Sequence, residues 1–211
     1  MSIIEYEPVS SPHAPRDAAG PPRFDLYAAI HKALRSFMSD TLARLGRFDP
    51  ADPADVAATL DQLAGLLAFC RQHVSHENEF VHPAIEARCP GVSAHIATEH
   101  ESHRHAIAAL EAEAALFRAQ PTAAAAHRLY RQVAVFIGDN FIHMDFEEVA
   151  HNGALWSAYA DAELIAIHQR LLAAIPADEM AIAMRWMLPA LNPAERAAIA
   201  GDAIEPSETV R

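Results

Sequence analysis

At 211 residues, 52% of them hydrophobic, the chain is long enough to bury one substantial core and too apolar to stay disordered. A formal charge of −12, with 16 Lys and Arg spread along the sequence, leaves no basic surface for phosphate and excludes a nucleic-acid partner. Alanine abounds, Gly numbers only 7 and no β-branched or aromatic run alternates, so the composition predicts an all-α protein.

In chain order, residues 1–22 carry prolines at 8, 12, 15, 21 and 22 and read as an irregular arm. Met1–Val9 has neither a basic nor an apolar leader pattern, and no stretch reaches the roughly eighteen apolar residues of a membrane span. A cytoplasmic chain with no membrane partner is expected. A first helix is predicted from near Phe24, with Phe24, Tyr27, His31, Leu34 and Met38 on one inward stripe. Taken alone, His31 reads as a hydrogen-bonded core residue. The turn cluster Asp49-Pro50-Ala51-Asp52-Pro53 starts a second helix whose Leu60, Leu63, Leu66, Leu67, Cys70, His73 and Glu77 share a face. Cys70 is expected to be a buried free thiol. At about 100° per residue, His82 falls nearly opposite His73 and is expected at the surface or just outside the ligands.

Cys89-Pro90-Gly91 breaks the chain before a third helix, Ser93 to Ala119, with Ile96, His100, His103, Ile107 and Leu110 inward and His95 and His105 outward. Thr122 is placed to cap a fourth helix running to about Trp156, with Val133, Phe136, Asn140, His143 and Glu147 inward. Asp161 is expected to cap a fifth helix, and Pro176 and Asn192 to begin a sixth and seventh. This predicts a bundle over 23–158, a helical extension packed on it over 159–205, and a frayed tail over 206–211. The extension holds no ligand pattern and suits covering the bundle or forming a homodimer.

One motif occurs twice: His73-Val-Ser-His76-Glu77 and His143-Met-Asp-Phe-Glu147 each place a histidine and a carboxylate at i and i+4, on one helical face. A further histidine precedes each claw at nearly equal distance, His31 before His73 and His100 before His143. An i,i+4 pair in solvent would contribute only about 0.2–0.5 kcal/mol, but Leu66 and Phe69 share the His73 face, and a carboxylate buried there needs a cation. Four imidazoles and two carboxylates from four helices can surround two metal ions, His31, His73, Glu77, His100, His143 and Glu147 being the ligands. Such a donor set suits iron, with zinc or manganese also admissible. The ferritin-like E-x-x-H pattern is matched by Glu79 to His82 and by Glu148 to His151, but the other two helices offer His31 and His100 where that site needs glutamates. His151, one turn beyond Glu147, is a candidate outer partner.

The pattern H…HxxxE…H…HxxxE, carried by His31, His73 to Glu77, His100 and His143 to Glu147, resembles the hemerythrin-like (HHE cation-binding) domains across residues 24–156. The resemblance implies an antiparallel up-down four-helix bundle. It also implies a non-haem, carboxylate-bridged di-iron centre that binds oxygen or a related small diatomic ligand. Arg104 stands where the oxygen carriers have a second third-helix histidine, and the fourth helix has HxxxE in place of HxxxxD. Sensing, storage or redox roles are therefore the expected ones. A di-iron peroxidase or oxidase, with Tyr27 as proton donor, is one alternative. A redox-silent zinc module acting through its C-terminal helices is another.

Overall fold

The computed structural model describes residues 23–202, so the expected N-terminal arm and frayed tail lie outside the described residues. The described chain is helical throughout, with no strand. In order come α1 (Ala28–Arg47), α2 (Pro53–His76), α3 (His82–Arg88), α4 (Ala94–Ala119), α5 (Ala123–Phe146), α6 (Asn152–Ala158), α7 (Asp161–Ala174), α8 (Ala177–Ala190) and α9 (Pro193–Asp202). Two five-residue π turns, Glu77–Val81 and Glu147–His151, join α2 to α3 and α5 to α6 without a break.

Local chemistry sets the helix ends. The Asp52 carboxylate accepts from the Ala54 N–H and the Thr122 hydroxyl from the Ala125 N–H, each satisfying a donor that the first turn leaves free. Helix α1 begins four residues later than Phe24, because Asp25 accepts from the backbone N–H groups of Tyr27 and Ala28. Asn192 and Glu195 form a reciprocal capping box on α9. Asp161 is not a cap. Its carboxylate takes a hydrogen bond from Arg23, and the side chain of Glu163 accepts the Ala160 N–H. Gly91, at φ +87°, supplies the left-handed turn between α3 and α4.

Helices α1, α2, α4 and α5 close a ring: α1 packs on α2 and α5, and α4 packs on the same two. Helix α8 covers α1, stacking Trp186 on Phe37 with ring centroids 4.1 Å apart and burying Ala183 in the main core. That core holds Leu34, Leu63, Leu66, Leu67, Leu129 and Val133. A second, smaller cluster (Tyr27, Val81, Ile85, Leu155, Leu164, Ile167) lies toward α3, α6 and α7. From the residue before α1 into that helix the order is Tyr27, His31, Leu34; along α2 and the π turn after it, the order is Leu66, Cys70, His73, Glu77, Val81. The polar side chains therefore sit between two apolar plugs. Cys70 is a buried free thiol, its pKa pushed up to about 12 by burial.

Candidate metal centre

The six side chains singled out by their spacing converge on one buried point. Two overlapping groups of facing ligand atoms form, one of His31, His73, Glu77 and Glu147, the other of Glu77, His100, His143 and Glu147. Both carboxylates belong to both groups. The Nε2 atom of His73 lies 3.2 Å from Glu77 Oε1, that of His100 3.3 Å from Glu77 Oε2, and those of His31 and His143 each 3.5 Å from Glu147 Oε2. Bonds of about 2.1 Å to one ion put neighbouring ligand atoms about 3.0 Å apart in an octahedron and about 3.4 Å apart in a tetrahedron. The observed spacings match the edges of such polyhedra.

The same atoms are orphaned as hydrogen-bonding groups. The Nε2 atoms of His31 and His73 and all four carboxylate oxygens of Glu77 and Glu147 are buried and unpartnered, while Glu147 is wholly inaccessible to solvent. Buried polar atoms without partners are rare because each costs about 1–3 kcal/mol, more when charged. Metal ions between them would satisfy all six at once, so the donor set fits the group that its pattern implies.

Outer hydrogen bonds aim the imidazoles. The Nδ1–H groups of His31, His100 and His143 donate to Glu148 Oε1, Asn78 Oδ1 and Glu99 Oε2 at 2.9, 2.9 and 2.7 Å. Each partner accepts only, which leaves the neutral ring's Nε2 lone pair facing inward, as metal-binding histidines require. The Nε2 atoms of His100 and His143 then face each other at 3.1 Å. Two lone pairs at that distance need a proton or a metal ion between them.

Protons take the place of cations in the metal-free cluster. Burial opposes charge on His31 and His100, but the nearby carboxylates outweigh it and raise both to about 9. Burial, seconded by the neighbouring histidines' charge, lowers His73 to about 3; burial and His103 lower His143 to about 2. Burial and the facing Glu77 charge raise Glu147 to about 7, whereas the surrounding imidazoles overcome burial to hold Glu77 well below the usual carboxylate range. Two carboxylates face each other here, and one of the pair holds a proton more readily than a free glutamate does.

Of the two places expected for His82, the surface is ruled out and the one just outside the ligands is found. His82 is buried, and its ring lies parallel to that of His100 at 5.0 Å. The cause is the π turn, in which the His82 N–H donates to Glu77 O, five residues back. One extra residue in the turn delays the phase by about 100°, which swings His82 from opposite His73 to beside Glu77. The equivalent turn after Glu147 ends at His151, whose Nδ1 lies 3.1 Å from the Tyr27 hydroxyl. His82, His151 and Glu147 form a third group of facing ligand atoms. His103 packs edge-on against His143, with ring centroids 4.6 Å apart, and joins none of the three. His76 pairs with Glu179 of α8; His95 and His105 are exposed, as their helical phase predicts.

Across residues 23–150 the sequence matches the family model described as the hemerythrin HHE cation-binding domain, and the chain belongs to that family. Comparison with curated proteins and with solved structures gives no match. Family and geometry agree that histidine and glutamate side chains of this bundle could hold metal. Among the described residues, no helix is long and apolar enough to cross a membrane.

Proposed function

We propose that the protein holds a pair of metal ions, iron in the functional state, to which Glu77 and Glu147 would both contribute, and binds oxygen or a related small molecule there in a sensing, storage or redox role. In this reading α1, α2, α4 and α5 form an antiparallel up-down four-helix bundle. His31 and His73 complete one ion's protein ligands, and His100 and His143 the other's. The observation that carries the reading is the set of buried, unpartnered Nε2 and carboxylate oxygen atoms facing one another at coordination spacing.

Bound iron would supply open coordination positions and an accessible ferrous–ferric couple. The chain's own residues do the rest. Glu148, Asn78 and Glu99 fix the imidazole tautomers, so the ligand atoms stand ready before an ion arrives. The apolar plugs on either side, Leu66 and Leu34 on one and Val81 and Leu155 on the other, keep bulk water from the carboxylates. Cys70 takes no part: burial keeps it a thiol, and it belongs to the apolar core.

Metal analysis of protein purified from its native host, without a metal-affinity column, tests this. Two iron ions per chain are expected. Two zinc ions would make the site redox-silent and favour an interaction role. One ion or none would overturn the paired centre.

A further inference from the structure

Apolar plugs close the centre at both ends, so an ion must reach it from the side, past one of the three groups that support the imidazoles. Those three differ in charge. Glu148 is paired with the guanidinium of Arg35, and Asn78 is neutral. Glu99 is partly exposed and, among the described residues, pairs with no Lys or Arg. An approaching cation meets a positive side chain at the first, no charge at the second and an uncompensated carboxylate at the third. Glu99 also opens on a cleft of about 310 Å³ between α4 and α5, lined by Ser102, His103 and Asp139 and walled by Phe136 and Ile142. Asp139 has no ion-pair partner among the described residues, and burial together with the Glu99 charge pushes its carboxyl above the usual carboxylate range. His103 adds a second, independent sign. It is 7% exposed, and its buried Nδ1 has no hydrogen-bond partner although the ring lines a polar cleft.

Building on the paired metal centre proposed above, we infer that this cleft is a docking site for a divalent metal cation, held by Glu99, Asp139 and His103 outside the buried pair, from which ions pass to the centre beside His143.

Two carboxylates and an imidazole are donors that divalent first-row ions take, whereas an anion would meet two like charges and an apolar molecule would leave three polar groups dry. One of the three already belongs to a claw. His95 Nε2 lies 3.2 Å from Glu99 Oε1 at i,i+4, the separation found between His73 and Glu77. The cleft also touches the centre: Glu99 accepts from His143 Nδ1 at 2.7 Å, and the ring of His103 lies edge-on to that of His143 with centroids 4.6 Å apart. An ion held here is one side chain away from its destination. The ligand atoms of Glu99, Asp139 and His103 spread wider than the 4.8 Å that encloses each group at the centre. Such a site binds a hydrated ion loosely and lets it move on.

The test follows uptake of Co²⁺ by metal-free, full-length protein in stopped flow, with the final metal content read on the same samples. Docking before entry makes the wild-type uptake rate level off as Co²⁺ is raised. Asp139→Asn is expected to raise the half-saturating Co²⁺ concentration on the order of tenfold, with the plateau rate and the final two ions per chain unchanged. His103→Leu should raise it as well. Asp61→Asn, an equal loss of charge where Asp61 pairs with Arg118 at the far end of α4, should change nothing. Two ions bound, with uptake unaltered in both Asp139→Asn and His103→Leu, would overturn the docking site and leave the paired centre standing. An equal shift in Asp61→Asn and Asp139→Asn would reduce the effect to net charge and overturn it too. One ion in wild type would remove the pair while the rate comparison still decided the cleft, and no uptake at all would remove both.

Discussion

In the half of the site built by α1 and α2, the residue after the claw glutamate is neutral Asn78; in the half built by α4 and α5 it is Glu148. Each reaches across to the other half, Asn78 accepting from His100 and Glu148 from His31, both at 2.9 Å. The halves thus exchange supports, and neither holds its first histidine alone. They part company after the π turn. One turn closes with Val81 and His82, the other with His151 and Asn152, so the position that is apolar in the first half is an imidazole in the second. A repeated backbone device keeps the metal layer alike, while single substitutions next to it make one side different.

The largest expected effect breaks the likeness at its centre. Because both carboxylates belong to both ligand groups, Glu77→Ala and Glu147→Ala should each empty the whole centre and not one half of it, read as metal per chain by elemental analysis. A variant that keeps one ion would show that its glutamate serves one side only. The exchanged supports come next. Glu148→Ala and Asn78→Ala should each weaken metal binding by about 10–100-fold in competition with a chelator, the usual cost of losing such a partner. Glu148 should cost more, since it also holds Arg35 and carries charge. Equal losses would mean that charge is irrelevant to the support.

Proton coupling sharpens the comparison further. His31 and His100, one from each half, hold their protons up to about 9, so below that pH an incoming ion must displace them. Metal affinity should rise as pH approaches 9, and calorimetry at pH 8 in buffers of different ionisation enthalpy should record protons released. Their raised pKa values also stabilise the metal-free fold fully below 6.5, and that contribution should fade as pH rises through about 9. A metal-free melting temperature that climbs over this range would contradict the assignment. The smallest effect belongs to the outer face: His105→Ala should leave metal content unchanged and stability within about 0.5 kcal/mol.

Much of this could be read without coordinates, and the limits have a physical source. The i,i+4 pairs His73 with Glu77 and His143 with Glu147 are spanned by α-helical hydrogen bonds just before each π turn gains its residue, so a wheel at 100° per residue places them well, and His31 and His100 follow from the apolar stripes around them. His82 could not be placed that way, because a wheel has no means of showing where a helix gains a residue. A signal was nonetheless present: an E-x-x-H follows each claw, its histidine five residues beyond Glu77 in one helix and four beyond Glu147 in the other. The acceptors Asn78, Glu99 and Glu148 adjoin the ligands in sequence but act across the bundle, which only packing reveals. Tyr27 read as plain core from its stripe. Its ring does belong to the smaller apolar cluster, but its hydroxyl ends on His151.

The central claim is that two ions lie between Glu77 and Glu147. Anomalous scattering from crystals of the iron-loaded protein measures this most directly. The account predicts two peaks about 3.5–4 Å apart, the usual spacing of a two-metal site, each within bonding distance of both carboxylates. A single peak, or peaks that leave either glutamate out of contact, would contradict it.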